Sequence, residues 1–174
     1  MKELKEIIEG CIAWNRSDQE LLYRRFAKDM YKVCRTYSKD NEDAEDMLHD
    51  AFMHVYKNIQ TYNFNGAFEG WIRRVVVNCC LQVLRKRKNI STVDDFPLLT
   101  EEENQWDINE ELPFNTILNE IDRLPIKAGL VMKLYALEGW SHAEIADELN
   151  ISIGTSKSQL NYARTTLKQK LAIL

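Results

Sequence analysis

The amino-acid sequence predicts an all-α protein made of two small helical domains, the second of which contains a helix-turn-helix. Apolar residues recur every three or four positions through most of the 174 residues, which is the period of an amphipathic helix. That period is lost over residues 90–112, where acidic side chains concentrate. We therefore predict domains at residues 1–88 and 113–174, joined by a flexible acidic linker at residues 89–112.

The first domain is predicted to contain four helices. Residues 1–14 form a short one, and the S-x-x-E capping box of Ser17 and Glu20 predicts the start of a second. A polar turn precedes a third helix over residues 43–60. The fourth covers residues 68–88, and because its three consecutive valines are poor helix formers, packing against the core must hold it in place.

The second domain is predicted to begin at Pro113 with a short helix. Pro125 opens the next helix, because its fixed φ suits a first turn, and Gly139 ends it. The remaining residues, 141–171, have the pattern of two helices joined by a tight turn.

Capping signals and periodicity both support this helix-turn-helix. Ser141 and Glu144 form a capping box, Asn150 tolerates the left-handed conformation that ends a helix, and Ser152 can cap the next one. The narrow apolar stripe of the second helix consists of Ser156, Leu160, Ala163 and Leu167. Its other faces carry hydrogen-bond donors and no acid, namely Thr155, Lys157, Ser158, Gln159, Asn161, Tyr162, Arg164 and Lys168. This suits a DNA-reading helix, although an ordinary helical hairpin has a similar pattern.

The formal net charge is −4, but the charges are segregated along the chain. Residues 71–88 carry six basic and no acidic side chains, whereas residues 89–122 carry ten acidic and no basic ones. A basic helix next to an acidic connector favours a nucleic-acid-binding protein over a uniformly solvated surface.

Several function classes are disfavoured by what the sequence lacks. No apolar run is long enough to span a membrane, and the N-terminus is too charged for a signal peptide, so we expect a cytoplasmic protein with no membrane insertion. The four cysteines fit no zinc spacing and are expected to be buried thiols. Because there is no glycine-rich phosphate loop, nucleophile elbow or His–carboxylate cluster, we expect neither an enzyme nor a bound metal or cofactor.

Three further segments carry candidate functional residues in the first domain. The third helix has an outer face of Glu45, Asp46, His49, Asp50 and Met53, which alone indicates a solvated acidic face. The loop that follows it offers Tyr62, Asn63, Phe64 and Asn65, which suit unstacked bases, unless Phe64 is a core plug. The fourth helix carries Arg73, Arg74, Asn78, Gln82, Arg85 and Lys86 off its buried stripe, which suits a phosphate backbone or a solubilising surface.

Parts of both domains resemble bacterial RNA polymerase sigma factors, most closely those of the extracytoplasmic-function (ECF) group. In the second domain the resemblance lies in Leu124–Pro125, in LEGWSHAEIA and in GTSKSQL followed by AR. In the first it lies in DAEDMLHDAFMHVYKNI and in the fourth helix, with its F-x-G-W-[IL] start, central Asn78 and basic end. The sequence departs from the common pattern at Ser156, where valine is common, at Gln159 and Tyr162, where arginine is frequent, and at His49, where glutamine is usual.

The resemblance implies a factor that binds core RNA polymerase and promoter DNA and promotes promoter opening. On the third helix it implies polymerase contacts at Asp46, His49, Asp50 and Met53. The candidate residues of the loop and fourth helix would recognise the minus-ten element. The minus-thirty-five element would be recognised by Thr155, Lys157, Ser158, Gln159, Tyr162 and Arg164. An anti-sigma factor is left open as a further partner. The alternative is a conventional helix-turn-helix regulator of duplex DNA, which would explain the second domain but not residues 43–88.

Overall fold

The computed structural model describes residues 2–88 and 113–171, and within these ranges the chain is helical and has no β-strand. The all-α prediction is therefore confirmed. The chain divides into two compact units, one containing each described range. The predicted linker at residues 89–112 lies outside the described residues.

The first unit contains a four-helix core. Its elements are α1 (Leu4–Ile12), α2 (Arg16–Tyr37), α3 (Asn41–Asn58), a 3-10 turn (Ile59–Thr61) and α4 (Phe68–Lys88). Helices α2, α3 and α4 pack on one another, and α1 packs on α2 and the 3-10 turn. Leu22, Ile72 and Val76 are fully buried in the shared core. Val77 is fully buried as well, so tertiary packing stabilises the valine-rich α4, as the sequence predicts.

Two asparagine or aspartate side chains start the long helices of this unit. Asn15 Oδ1 accepts hydrogen bonds from the backbone N–H groups of Ser17 at 2.9 Å and Asp18 at 3.3 Å. The predicted capping box of Ser17 with Glu20 is therefore wrong, because Asn15 is the cap and Ser17 already lies in the first turn. Asp40 caps α3 in the same way, accepting from the N–H of Asp43 at 2.8 Å.

An ion pair joins the first turn of α3 to the last turn of α4. The guanidinium of Arg87 donates to both carboxylate oxygens of Asp43, with one N–O distance of 2.8 Å. Asp43 Oδ2 also accepts the backbone N–H of Lys39 at 3.0 Å. The hydrogen bond from Arg87 lowers the pKa of Asp43 more than burial raises it.

All four cysteines are buried, as the sequence predicts. Burial raises the pKa values of the Cys11 and Cys79 thiols to about 11. Cys34 Sγ on α2 lies 3.9 Å from Cys80 Sγ on α4. Protonated thiols in such surroundings act as small apolar core groups.

The second unit contains the helix-turn-helix. Its elements are α5 (Phe114–Asp122), α6 (Ile126–Ala136), α7 (His142–Leu149) and α8 (Ile153–Leu171). Helix α8 packs on each of the other three helices. The core includes Ile121, Val131, Leu134, Ile145 and Leu167, all of which are buried.

The predicted signals at both ends of α7 are confirmed. Ser141 N–H donates to Glu144 Oε2 at 2.9 Å, and Glu144 N–H donates back to Ser141 Oγ at 3.3 Å. Asn150 has a φ of 52°, so it ends α7 in the left-handed conformation. Ser152 Oγ then accepts the N–H of Thr155 at 2.9 Å, which caps the start of α8.

Candidate functional site

The acidic surface of α3 lies opposite the face that packs into the core. Met47 and Ala51 are buried. The exposed residues of this surface include Asp46, His49, Asp50 and Met53. They recur at helical spacing, so they form one surface that presents two carboxylates beside an exposed thioether.

The loop after the 3-10 turn is built around Tyr62. Its hydroxyl donates to the carbonyl oxygen of Gly66 at 2.7 Å, and its ring contacts Phe68 and Trp71 with centroids 5.1 and 5.8 Å apart. Only 8% of Tyr62 is exposed. Tyr62 therefore closes the loop, and its ring is covered by this packing, while a DNA contact at Tyr62 stays a prediction.

Phe64, in contrast, is exposed at the tip of this loop. Its side chain is 44% exposed and its φ is 57°, a conformation that bulky residues rarely adopt. Phe64 is thus not a core plug. Asn63 Oδ1 accepts the N–H of Asn65 at 3.0 Å, which gives a local turn. The side chain of Asn65 is exposed, so Phe64 and Asn65 are the loop groups best placed to meet a base.

The basic face of α4 is only partly open to solvent. The exposed residues are Arg74, Gln82 and Lys86, and the half-buried ones are Arg73, Asn78 and Arg85. Asn78 Oδ1 is buried and accepts no hydrogen bond from any described residue. Because that oxygen is closed to solvent, the exposed carboxamides of Asn65 and Gln82 are better candidates for base contacts.

Five of the six residues predicted to form the DNA face of α8 are at least partly open to solvent. Lys157 is exposed, and Thr155, Ser158, Tyr162 and Arg164 are half-buried. Gln159 is only 5% exposed, and its Oε1 accepts no hydrogen bond within residues 2–88 and 113–171. The structure thus places Gln159 on the core side of α8, and its contact with DNA stays a prediction. The buried stripe is wider than predicted, since Gln159 lies three residues after Ser156 and next to Leu160, on the core side.

Two hydroxyl groups at the start of α8 are engaged in local hydrogen bonds. Thr155 Oγ1 lies 2.8 Å from Ser152 Oγ. The Ser158 hydroxyl donates to the carbonyl oxygen of Thr155 at 3.0 Å. Ser158 oxygen lone pairs therefore remain as acceptors, while Lys157 is the exposed charged donor of this first turn.

An aromatic contact that the sequence did not predict links three helices of the second unit. The ring of Tyr135 on α6 stacks with His142 of α7, with centroids 4.8 Å apart and planes at 23°. The guanidinium carbon of Arg164 on α8 lies 5.4 Å from the Tyr135 ring centroid. His142 Nδ1 also lies 2.9 Å from Ser156 Oγ. Because these groups are distant in sequence, no local period indicates that they meet.

Within residues 2–88 and 113–171, no group of three or more His, Cys, Asp or Glu side chains is placed to hold a metal ion. In that part of the chain no helix has the length and apolar character needed to cross a membrane.

Two sequence families match the chain, one in each unit. The family described as Sigma-70 region 2 matches residues 22–90. The family described as Sigma-70, region 4 matches residues 114–167. The first match holds most of α2 and all of α3 and α4, and the second holds α5 to α7 and most of α8.

The similar proteins are named as ECF RNA polymerase sigma factors. The chain is 27% identical to SigM of Mycobacterium tuberculosis over 172 residues, which cover 97% of this chain and 85% of that protein. It is 28% identical to SigW of Bacillus subtilis over 155 residues, which cover 82% of each protein. It is 30% identical to SigE of Mycolicibacterium smegmatis over 156 residues, which cover 87% of this chain and 60% of that protein.

Two solved structures share the fold. CnrH in complex with the cytosolic domain of CnrY has a TM-score of 0.55 and 16% identity, covering 96% of both chains. RpoE of Bartonella quintana in complex with the anti-sigma factor NepR has a TM-score of 0.57 and 17% identity, covering 90% of this chain and 98% of that one. At these identities the likeness concerns the helical fold.

Proposed function

Since the chain belongs to the ECF group of RNA polymerase sigma factors, we propose that its first unit docks on core RNA polymerase and that both units recognise promoter DNA. The observation that carries the proposal is the match to Sigma-70 region 2 and to Sigma-70, region 4 over two helical units, in that order. We propose no catalytic activity and no cofactor for the chain. The chain would act by binding alone: α3 would bind core polymerase, and the loop after the 3-10 turn, α4 and α8 would bind DNA.

Run-off transcription with purified core polymerase, on promoters near the gene, tests this function. Transcripts that require the added chain would support it. A conventional helix-turn-helix regulator is the second candidate, and it would bind duplex DNA equally well without polymerase and start no transcript. Co-purification with core polymerase separates the two candidates independently of the promoter chosen.

Polymerase docking is assigned to the exposed surface of α3. Asp46 and Asp50 are exposed carboxylates four residues apart, with Met53 beside them at 44% exposure. Charges of this kind steer association, and an adjacent thioether adapts to a partner surface. His49 lies between the two carboxylates on the same surface.

A double variant, Asp46→Ala with Asp50→Ala, should keep its helical circular dichroism and lose core polymerase in a pull-down. The matched control removes two other exposed acids of α2, Glu20 and Asp29, which pair with Arg24 and Lys32 on the same helix. Equal loss of polymerase by both double variants would mean that general negative charge, rather than the α3 surface, supports docking.

Minus-ten recognition is assigned to the loop tip and α4. Phe64 offers an exposed ring on which a base can stack, and Asn65 offers a carboxamide that can donate and accept. Arg73, Arg74, Arg85 and Lys86 would follow the phosphates of the opened strand. Asn63 is the weaker candidate, because its Oδ1 already accepts the N–H of Asn65.

Asn65→Ala should leave polymerase binding intact and change base preference in the minus-ten element. Permanganate footprinting measures promoter opening on each sequence. Asn63→Ala is the comparison, and it should disturb the turn more than the preference. If both variants open the promoter with unchanged base preference, the loop is not the reader and Gln82 or Asn78 of α4 takes its place.

Minus-thirty-five recognition is assigned to α8, whose first turns would lie in the major groove. Lys157 is the exposed donor nearest the start of the helix, with Thr155, Ser158 and Tyr162 around it. Losing Lys157 should cost about 1–3 kcal/mol on the matched promoter if it contacts a base. Losing Arg164 should weaken binding on all sequences and lower the salt slope by about one. An equal loss on matched and mismatched promoters would make Lys157 a phosphate contact.

The domain division and a regulatory partner complete the proposal. Limited proteolysis should cut first within residues 89–112, and primary cleavage within residues 68–87 would contradict the division.

An anti-sigma factor is proposed as a partner because two proteins of the same fold are described in complexes, CnrH with the cytosolic domain of CnrY and RpoE with NepR. Purification of the chain from its own cells, with and without core polymerase, would identify such a protein.

A further inference from the structure

His142 lies at the edge of the DNA surface proposed for the second unit. It is the first residue of α7, and its Nδ1 lies 2.9 Å from Ser156 Oγ on α8. Its ring stacks on Tyr135 of α6 at a centroid distance of 4.8 Å. The imidazole is thus fixed by contacts to two neighbouring helices while it remains half-buried rather than enclosed.

The groups that face His142 are cationic or neutral. Burial lowers the pKa of His142, and the charges of Lys157 and Arg164 on α8 lower it further. The group facing it from α6 is the Tyr135 phenol. On its own helix, the Glu144 carboxylate is turned to the N–H and hydroxyl of Ser141, at 2.9 and 2.8 Å. In the free protein the ring is therefore neutral near neutral pH, beside two cations assigned to DNA.

We infer that His142 is a further DNA-binding residue, which contacts a backbone phosphate next to those held by Lys157 and Arg164 and takes up a proton from solvent on doing so. The inference rests on the proposed function, because it requires α8 in the major groove. In a helix-turn-helix the first helix crosses the sugar-phosphate backbone, and His142 begins that helix. A negatively charged phosphate beside the ring would stabilise the protonated imidazolium and so raise the pKa of His142.

The hydrogen-bond geometry suits the protonated ring. An imidazolium donates from both nitrogens. Nδ1–H would donate to Ser156 Oγ, which is already at 2.9 Å, and Nε2–H would donate to the phosphate. No side chain has to rearrange for Ser156 to serve as that acceptor, since its hydroxyl can accept as well as donate.

Proton uptake makes DNA affinity depend on pH in a defined direction. The bound state has the higher pKa, so affinity rises as pH falls through that value. Each unit by which the phosphate raises the pKa is worth about tenfold in affinity on the acid side. One more neutralised phosphate also steepens the salt slope, by about 0.9 for duplex DNA.

The test uses the full chain assembled with core polymerase and a labelled duplex from a promoter that starts transcription in the run-off assay. Wild type should gain up to about tenfold in affinity between pH 8 and pH 6, with a steeper salt slope at pH 6. His142→Gln, which keeps a polar side chain but cannot become cationic, should lose both changes. His54→Gln is the control, since His54 is an exposed histidine of the first unit and should behave as wild type.

Retention of the full pH dependence by His142→Gln, or its absence from wild type, would overturn the inference. A second measurement does not depend on the folding of that variant. The histidine ring signals of the wild-type chain are titrated by NMR with and without excess duplex, and His142 is assigned by elimination with variants of the other two. In a sample whose duplex binding has been verified, an unchanged His142 pKa would overturn the inference alone, whereas absence of promoter binding by the chain assembled with core polymerase would overturn the proposed function as well.

Discussion

The ion pair between Asp43 and Arg87 should stabilise the first unit by closing the start of α3 onto the end of α4. Only 2% of the Asp43 side chain is exposed, whereas 43% of the Arg87 side chain is exposed. Arg87→Met removes the cation and keeps most of the aliphatic stem. The buried Asp43 carboxylate then loses its partner on α4 and keeps the hydrogen bond from the N–H of Lys39 at 3.0 Å.

The size of the effect follows from this unequal burial. Removing one partner of a fully buried pair costs roughly 3–5 kcal/mol, because the other charge stays buried and unpaired. Water reaches the Arg87 side of the pair, and the bond from Lys39 persists, so we expect about 2 kcal/mol for Arg87→Met. Lys86→Met is the matched control, since it removes an exposed positive charge one residue away and should change stability by less than about 0.5 kcal/mol.

The dependence on pH identifies the cause. The pKa of Asp43 is lowered in the folded chain, chiefly by the hydrogen bond from Arg87. A lowered pKa contributes stability that is present above the unfolded value, about 3.9, and is lost as pH falls through the folded value. The difference between wild type and Arg87→Met should therefore be constant near neutral pH and shrink as the solution is acidified below about pH 4.

Hydrogen exchange resolved by peptide is the suitable assay, because it reads α3 and α4 separately from the second unit. Peptides of α3 and α4 should lose protection in Arg87→Met, while peptides of α6 and α8 stay unchanged. A difference that persists undiminished at acid pH would refute the ion-pair reasoning and attribute the effect to packing of the arginine stem. Since Arg87 is already paired, the salt slope of promoter binding should also be unaffected once folding is restored at low temperature.

The remaining predictions concern backbone positions in each unit. Gly10→Ala should destabilise the chain by roughly 2 kcal/mol in thermal circular dichroism, because the new Cβ would lie 2.8 Å from Asp18 Cβ and displace a buried carboxylate. Gly70→Ala should instead stabilise the chain, because its Cβ would meet nothing within 4 Å and alanine favours helices. A change of stability with the same sign in both variants would contradict this account. Asn150→Ala should cost about 1 kcal/mol at the left-handed end of α7, whereas Asn150→Gly should cost nothing measurable, and equal losses would indicate a side-chain role instead.

Local signals in the sequence were sufficient for much of the second unit. Three local signals lie within four residues of the backbone groups they satisfy: the capping box of Ser141 and Glu144, the left-handed Asn150 and the Ser152 cap. Such short-range chemistry can be read from a single sequence. The error at Ser17 is of the same kind, because Asn15 is an equally good cap two residues earlier and accepts the N–H groups of Ser17 and Asp18.

The unexpected burial of two predicted site residues has a different origin. Tyr62 and Gln159 each carry a polar group and have polar neighbours in the sequence. Both are nevertheless buried, by tertiary contacts that the helical period does not predict. Tyr62 is held by Phe68 and Trp71, and Gln159 extends the stripe of Leu160. Helical period assigns residues to a face only approximately, so residues at the margin of that face are the least certain. For the same reason the contact of His142 with Tyr135 requires the folded arrangement.

Asp43 and Asp46 show how burial divides identical side chains between the core and the surface. They lie three residues apart on α3, so both are near the same end of one helix. Asp43 is buried and meets the guanidinium of Arg87, which lowers its pKa, whereas Asp46 is exposed. The carboxylate that α4 covers contributes to the stability of the unit, and the carboxylate that α4 leaves uncovered is the one available to a partner. The hydrogen bonds of Arg87 go to Asp43, although the charge of Asp46 also raises the pKa of Arg87. Loss of Asp43 should therefore destabilise the first unit, whereas loss of Asp46 should weaken the proposed docking on polymerase and leave the stability of the unit nearly unchanged.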